Sequence, residues 1–261
     1  MIRALSTAAT GLEAQSANIE RISNDLANVN TDGYKRSRTD FSELMYETVK
    51  EPGQQVGATS QTPVGIQTGM GVKVGSSHKV FEQGPVKVTG NQLDLMIQGR
   101  GFIPIQKPNG EILYTRIGAF HRDSQGKMVL ANGSQLIPQI TLPSNAVGIR
   151  FAPNGEVLAT LPTSEEAVLG QIQLASFVNE GGLSSAGEGL YKTTLASGAP
   201  QLGIPGENGY GAIEQGSLEG SNVNMANSMV EMIQTQRAYE MNTKIMGVAD
   251  QMLNATIGVI K

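Results

Sequence analysis

The sequence predicts an α+β chain in which long N- and C-terminal helices pair as a coiled coil around an inserted antiparallel β-rich domain of barrel or sandwich type. Three observations predict it. Apolar residues recur at heptad spacing in the first thirty residues, and at three- and four-residue steps in the last forty. Between them, Asn-Gly and Asp-x-x-Gly turns punctuate short apolar runs, the strongest local signal for hairpins.

At the N-terminus, Leu5, Leu12, Ile19 and Leu26 stand seven apart, with Ala8, Ile22 and Val29 at the accompanying position, as in a coiled-coil seam. Gln15 and Ser16 dilute the seam, and Ala9, Ala14 and Ala17 keep the helix slim. Gly33 is the expected left-handed C-cap, with Lys35 and Arg36 following at the negative end of the helix. The helical segment is therefore drawn at residues 1–33.

Residues 34–75 read as an extended connector, because 51–75 is rich in Gly, Gln, Thr, Ser and Pro with almost no large apolar residue before Ile66. A β-rich domain is drawn at 76–180. Pro108-Asn109-Gly110 separates Phe102–Gln106 from Ile112–Thr115, and Asp123-Ser124-Gln125-Gly126 precedes Met128–Leu130. Asn132-Gly133 follows that run, and Pro153-Asn154-Gly155 parts Ile149–Phe151 from Val157–Ala159. Residues 181–221, again rich in Gly, Ser and Pro, read as a return connector.

The C-terminal helix is drawn at 222–261. Val223, Ala226, Val230 and Ile233 form one apolar run, and Ala238, Met241, Ile245, Val248, Met252, Ala255 and Val259 a second, with a phase shift near Arg237. Asn222 and Asn224 are the candidate N-caps, and Lys261 places a cation at the helix end. At 1.5 Å per residue, ~37 residues would reach ~55 Å, more than a compact domain needs. Two seams, each too polar to stand alone, read as built to pair with each other and with copies from other subunits.

Composition narrows the function. The chain has 261 residues, 39% of them apolar and 5% aromatic, with no Trp, so its core is aliphatic. A net charge of −4 without a basic cluster argues against nucleic acid. The absence of Cys excludes disulfides and thiol chemistry. No segment has the ~18 apolar residues of a membrane span, and Met1-Ile2-Arg3-Ala4 does not open a cleavable signal peptide.

Catalytic constellations are missing. His78 and His121 stand far apart and outside metal-ligand spacing. The glycine pairs Gly69/Gly71, Gly99/Gly101, Gly187/Gly189 and Gly209/Gly211 meet Val74, Pro104, Lys192 and Glu214 where a dinucleotide fingerprint needs a third glycine. The carboxylates Asp94, Glu111, Asp123, Glu156, Glu165 and Glu166 mostly flank turns. No enzyme and no cofactor are expected.

Longer motifs then point to a family. Ser23-Asn24-Asp25-Leu26-Ala27-Asn28-Val29-Asn30-Thr31-Asp32-Gly33-Tyr34-Lys35-Arg36 resembles the N-terminal signature of bacterial flagellar rod and hook proteins. Glu219-Gly220-Ser221-Asn222-Val223-Asn224 and Met232-Ile233-Gln234-Thr235-Gln236-Arg237-Ala238-Tyr239-Glu240-Met241-Asn242-Thr243-Lys244 resemble its C-terminal signature. Residues 89–102 and 114–120 are similar to its β core, and the extended insert at 47–75 favours the distal-rod members. Asp25, where a second Asn is common, and Ile103-Pro104, in place of an aromatic after Phe102, depart from the pattern. The first bears on a local cap, the second on a strand edge.

The resemblance implies a structural subunit of the flagellar rod, the drive shaft that transmits torque for motility. It implies a helical homo-oligomer, since heterologous contacts that do not close produce open filaments. Proximal rod proteins, the hook protein and the surrounding P and L rings follow as partners, with neither nucleic acid nor membrane insertion. The implied location is the periplasm-spanning rod of the basal body, reached through the flagellar type III export system without a cleaved signal peptide. Leu5, Leu12, Ile19, Ile22, Leu26, Val29, Val230, Ile233, Met241, Ile245, Val248 and Met252 are the expected intersubunit and helix-seam residues. Asn28, Asn30, Gly33, Tyr34, Gln236, Arg237, Tyr239 and Asn242 are the expected polar register contacts. The weak seams further imply termini that order only on assembly. A secreted oligomeric binding module or adhesin with a closed helical bundle is the other reading of this organisation, and a peptidoglycan hydrolase the third. Open against closed assembly separates the first two, and a muramidase assay the last.

Overall fold

The computed structural model describes residues 2–53, 63–162 and 166–259. The expected cation at Lys261, part of the connector (54–62) and the candidate carboxylate Glu165 lie outside them. The chain is an α+β protein whose backbone divides into two units.

The first unit comprises Met1–Leu26, Ser37–His78 and Asn224–Lys261. It holds helix α1 (Ile2–Ala27), strands β1 (Ser37–Glu43), β2 (Tyr46–Lys50), β3 (Ile66–Gly69) and β4 (Val72–Lys79), and helix α2 (Met225–Val259). The last residue of α1 and of β4 belongs to the second unit. Helix α2 begins where Asn224 caps it: the Asn227 N–H donates to Asn224 Oδ1 at 3.1 Å, and the Ser228 N–H to the Asn224 carbonyl at 2.9 Å. Asn222, the other candidate, caps nothing. Its carboxamide joins the Arg36 N–H to the carbonyls of Val80 and Glu82 in the second unit.

Helix α1 closes at Ala27, short of the expected Gly33. Asn28, Asn30, Thr31 and Asp32 offer side-chain alternatives to helical backbone bonds. The chain turns there, with the Thr31 N–H on the Asn28 carbonyl at 3.1 Å. Gly33 does adopt a left-handed φ of +71°, but its N–H goes to the Glu219 carbonyl at 2.7 Å rather than to a helix end. A Cβ there would sit 2.8 Å from the Ile117 side chain, so the glycine serves close packing within the second unit.

The stretch expected as an extended connector is extended, but as paired ribbons. Strand β1 pairs with β4, and β2 with β3 from Tyr46↔Gly69 to Lys50↔Ile66. Their side chains are mostly exposed, which is why a polar sequence without large apolar anchors can form them.

The second unit comprises Ala27–Arg36 and Lys79–Val223. Its strands are β5 (Val86–Val88), β6 (Leu95–Gln98), β7 (Ile103–Gln106), β8 (Ile112–Thr115), β9 (Phe120–Arg122), β10 (Met128–Leu130), β11 (Gln135–Leu136), β12 (Gly148–Phe151), β13 (Glu156–Thr160) and β14 (Glu166–Gln171). They continue with β15 (Leu174–Ser176), β16 (Ser184–Gly187), β17 (Leu190–Lys192), β18 (Gln201–Gly203), β19 (Ala212–Gln215) and β20 (Ser217–Glu219). The largest sheet is antiparallel, in the order β16-β17-β8-β7-β11-β10-β9. Smaller antiparallel sheets join β12-β13-β14, β15-β18, β19-β6 and β20-β5.

All four expected turns join strands. Three share one device: Asn109, Asn132 and Asn154 each accept the N–H two residues on, at 3.0–3.1 Å, and the following glycine takes a positive φ. The core is aliphatic around Leu95, Ile97, Ile105, Leu113, Leu136 and Leu174, with Phe120 and Phe151. The other buried aromatics gather elsewhere: Phe102, Tyr114, Phe177 and Tyr191, with the half-buried Phe81, meet edge to face. Leu190, Tyr191, Ile213 and Leu218 are buried, so the segment expected as a return connector supplies both strands and core.

Candidate assembly surface

Helices α1 and α2 run antiparallel. Asn18 Nδ2 donates to Thr235 Oγ1 at 3.1 Å, and a Cβ on Gly11 would lie 3.0 Å from Asn242 Nδ2. Seven residues forward on one helix is seven back on the other. Thr235 and Ala249 are buried, and Ala238, Asn242, Met246 and Leu253 are half-buried on the same stripe at three- and four-residue steps. On α1, Ala8, Ala14, Ile22 and Asp25 are buried, while Leu5, Leu12, Ile19 and Leu26 are half-buried.

On α2 the stripe that meets α1 is small and polar from Thr235 to Asn242 and takes up Met246 and Leu253 beyond it, and most of the other large apolar side chains of α2 lie elsewhere. Val230, Ile233, Met241, Ile245, Val248 and Met252 are each between 49% and 64% exposed. At 3.6 residues per turn, Met241, Ile245, Val248 and Met252 fall within an arc of about 60°, away from the stripe that meets α1. Gln236, Arg237 and Tyr239 are exposed as well, whereas Asn242 sits against Gly11. An exposed apolar ridge of this kind marks an interaction surface.

Arg21 ties three elements of this unit, a role the heptad pattern gives no sign of. Its guanidinium donates to Asn18 Oδ1 at 2.9 and 3.0 Å, Asp25 Oδ2 at 3.2 Å, the Ser37 carbonyl at 3.1 Å, and Glu231 on α2. Asp25 accepts the Ser37 N–H with both oxygens, at 3.1 and 3.3 Å. Its departure from the family pattern therefore places an obligate acceptor where β1 begins. The visible signal was Arg21 four residues before Asp25, a helical ion-pair spacing.

In the second unit the N-terminal signature meets the C-terminal one. Lys35, fully buried, donates to Glu219 Oε1 at 2.6 Å and to the Glu82 carbonyl at 2.7 Å. Arg116 reaches Glu219 Oε2 at 3.4 Å, and the Gly84 N–H reaches Oε1 at 2.9 Å. Burial pulls the Lys35 ammonium below its ordinary pKa, with Glu219 opposing. Lys35 is thus a buried pin rather than a helix-dipole cation. Tyr34 stacks under Lys79, whose Nζ lies 4.2 Å from the ring centre and 3.1 Å from the hydroxyl. Val29 and Asn28 are half-buried beyond the helix end, and Asn30 is exposed.

These arrangements hold one part of the chain to another. Among the described residues no group of three or more carboxylates and histidines could hold a metal ion, and no helix is long and apolar enough to cross a membrane. A cleft beside Asn28, Tyr34, Lys79 and Tyr191 measures about 220 Å³, and more open ones beside Ile117, Leu130 and Glu188 and beside Phe81, Arg100 and Arg116 about 410 and 420 Å³.

Comparison with known proteins agrees with the two signatures. The family model described as Flagella basal body rod protein matches residues 5–35. The Flagellar hook protein FlgE/F/G D1 domain matches 96–159, and the Flagellar basal body rod FlgEFG protein C-terminal matches 214–259. The chain is 46% identical to the flagellar basal-body rod protein FlgG of Caulobacter vibrioides, over 98% of each chain. It is 41% identical to that of Borreliella burgdorferi over 97% of each, and 32% identical to that of Bacillus subtilis over 99% of each.

Proposed function

The chain belongs to the family of flagellar basal-body rod proteins FlgG and is a structural subunit of that rod; we propose that it builds the distal part of the rod as an open helical homo-oligomer. The observation that carries this is the exposed ridge of Val230, Ile233, Met241, Ile245, Val248 and Met252 on α2. On α2 the monomer turns Thr235, Ala238 and Asn242 toward α1 and leaves most of its large apolar residues outside. Burying such a ridge against neighbouring copies would stabilise assembly by roughly 25 cal/mol per Å² covered. Repetition of a contact that does not close yields a shaft.

Torque then passes through many buried contacts, and no reactive group takes part. Leu5, Leu12, Ile19, Ile22 and Leu26 would keep α1 seated while α2 turns its ridge to the next copy. Proximal rod proteins and the hook protein would meet the two ends of the assembly, with the P and L rings around it. Passage through the flagellar type III export system, without a cleaved signal peptide, suits an unassembled chain whose helix pair leaves most large apolar side chains of α2 uncovered. The family membership favours this rod subunit over a secreted adhesin with a closed bundle.

Deleting the gene in its source bacterium and imaging purified basal bodies tests the reading. Basal bodies with a shortened rod and no hook are expected. Complete rods and hooks in the deletion strain would overturn it.

A further inference from the structure

The outward faces of the two helices carry matched charges. On α1, Glu13 and Glu20 are exposed, seven residues apart, on the face opposite Ala14 and Ile22. On α2, Arg237 and Lys244 are exposed, also seven residues apart, beside the apolar ridge. Seven residues is about 10.5 Å along either helix. Among the described residues none of the four makes an ion pair. The other charges on these helices are accounted for differently. Arg3 is held by Glu47, and Glu231 by Arg21. Glu240 stands three and four residues from Arg237 and Lys244 and pairs with neither, and Asp250 lies farther along α2. The shapes also differ in a complementary sense: no large apolar residue is exposed on residues 3–27 of α1, whose outer face shows Ser6, Ala9 and Asn24 around the two glutamates.

We propose that Glu13 and Glu20 of one copy pair with Lys244 and Arg237, respectively, of the neighbouring copy, so that the small acidic face of α1 receives the α2 ridge in one axial register. The proposal rests on the rod-subunit reading and deepens it. The polarity of the pairing follows from the intrachain geometry. Gly11 lies level with Asn242 and Asn18 with Thr235, so Glu13 is level with position 240 of its own chain and Glu20 with position 233. Copies stacked with the same polarity keep α1 antiparallel to a neighbour's α2. A displacement of four residues, about 6 Å, then brings Glu13 to Lys244 and Glu20 to Arg237 together. Copies related by a two-fold axis perpendicular to the helices would instead run these helices parallel and pair Glu13 with Arg237 and Glu20 with Lys244, closing the contact. Rotation about an axis along the helices leaves Glu13 level with position 240 and makes neither pair. The charge pattern thus sets register and separates open from closed assembly.

Charge reversal with compensation tests this in the source bacterium, reading the amount of full chain recovered in purified basal bodies. Glu20→Lys and Arg237→Glu are each expected to lower it by roughly tenfold or more, since like charges then face each other at a repeated contact. The two together are expected to recover the wild-type amount, as are Glu13→Lys and Lys244→Glu together. Circular dichroism of the purified variants checks that they fold, which exposed, unpaired positions predict. Three results would overturn the proposal: single reversals that incorporate like wild type, double reversals no better than the singles, or rescue of Glu20→Lys by Lys244→Glu in place of Arg237→Glu. Failure of the rod reading itself looks different, because the unaltered chain would then be missing from basal bodies.

Discussion

Lys35 Nζ and Glu219 Oε1 lie 2.6 Å apart with neither side chain more than 1% exposed, although 184 positions separate them in the chain. Each charge is tolerable only because the other is there. Glu219→Gln strands both Lys35 and Arg116, and is expected to destabilise the second unit by about 3–5 kcal/mol in urea unfolding followed by circular dichroism. Replacing the trio together, as Lys35→Met, Arg116→Met and Glu219→Leu, is expected to cost far less. A Glu219→Gln chain as stable as wild type would contradict the account.

Tyr191 gives the second unit an alkaline limit. Burial pushes its phenol up to about 12 from 10.0. The folded state therefore keeps a proton that the unfolded state gives up. The stabilisation is fully present below pH 10 and is lost as pH rises toward 12, a loss of about 2–3 kcal/mol for a two-unit shift. Lys35, pulled below 10.5, acts in the opposite sense over the range up to its unfolded value. Comparing unfolding of Tyr191→Phe with wild type across pH 9–12 isolates the tyrosine. The variant should show the shallower decline, and parallel curves would refute the assignment.

Gly11 lets α1 approach α2. Gly11→Ala gains helix propensity of about 1 kcal/mol, against a contact whose near atom is the mobile end of the Asn242 carboxamide. It is expected to be tolerated. Gly11→Leu has no such escape and should part the helices at a cost of about 1–3 kcal/mol, read as faster protease cleavage within α1. Equal cleavage rates in the two variants would show that the helices do not meet there.

The helix pair leaves most large apolar side chains of α2 uncovered, so in dilute monomer it is expected to open more often than the second unit does. Limited proteolysis with mass mapping should cut first within residues 1–26, 37–78 and 224–261. A fragment near 79–223 should survive, and 27–36 should stay bound to it through Lys35 and Glu219. Helices as resistant as the β strands would mean that they are already covered in the free chain.

What the sequence made legible follows locality. The hairpins at Asn109, Asn132 and Asn154 could be read because turn chemistry is completed within three residues. The existence of both helices could be read from spacing, but their facing could not. Apolar periodicity marks what is buried somewhere, and on α2 most of the large residues lie outside the monomer's seam while Thr235, Ala238 and Asn242 line it together with Met246 and Leu253. Lys35 looked like a helix-end cation because Glu219 is brought to it only by tertiary folding. Of the ribbons β1–β4 and β2–β3, only the start of β4 shows in the sequence, as the alternation of Val72 and Val74, since backbone pairing with exposed faces leaves little hydrophobic signature.

The outward ridge of α2 is tested most directly by electron microscopy of basal bodies from cells whose only copy carries Met241→Asp and Ile245→Asp. Both side chains are about half exposed or more, so the purified variant should fold like wild type. Basal bodies lacking the distal rod are the expected result. Rods of normal length and number built from that variant would contradict assembly through this face.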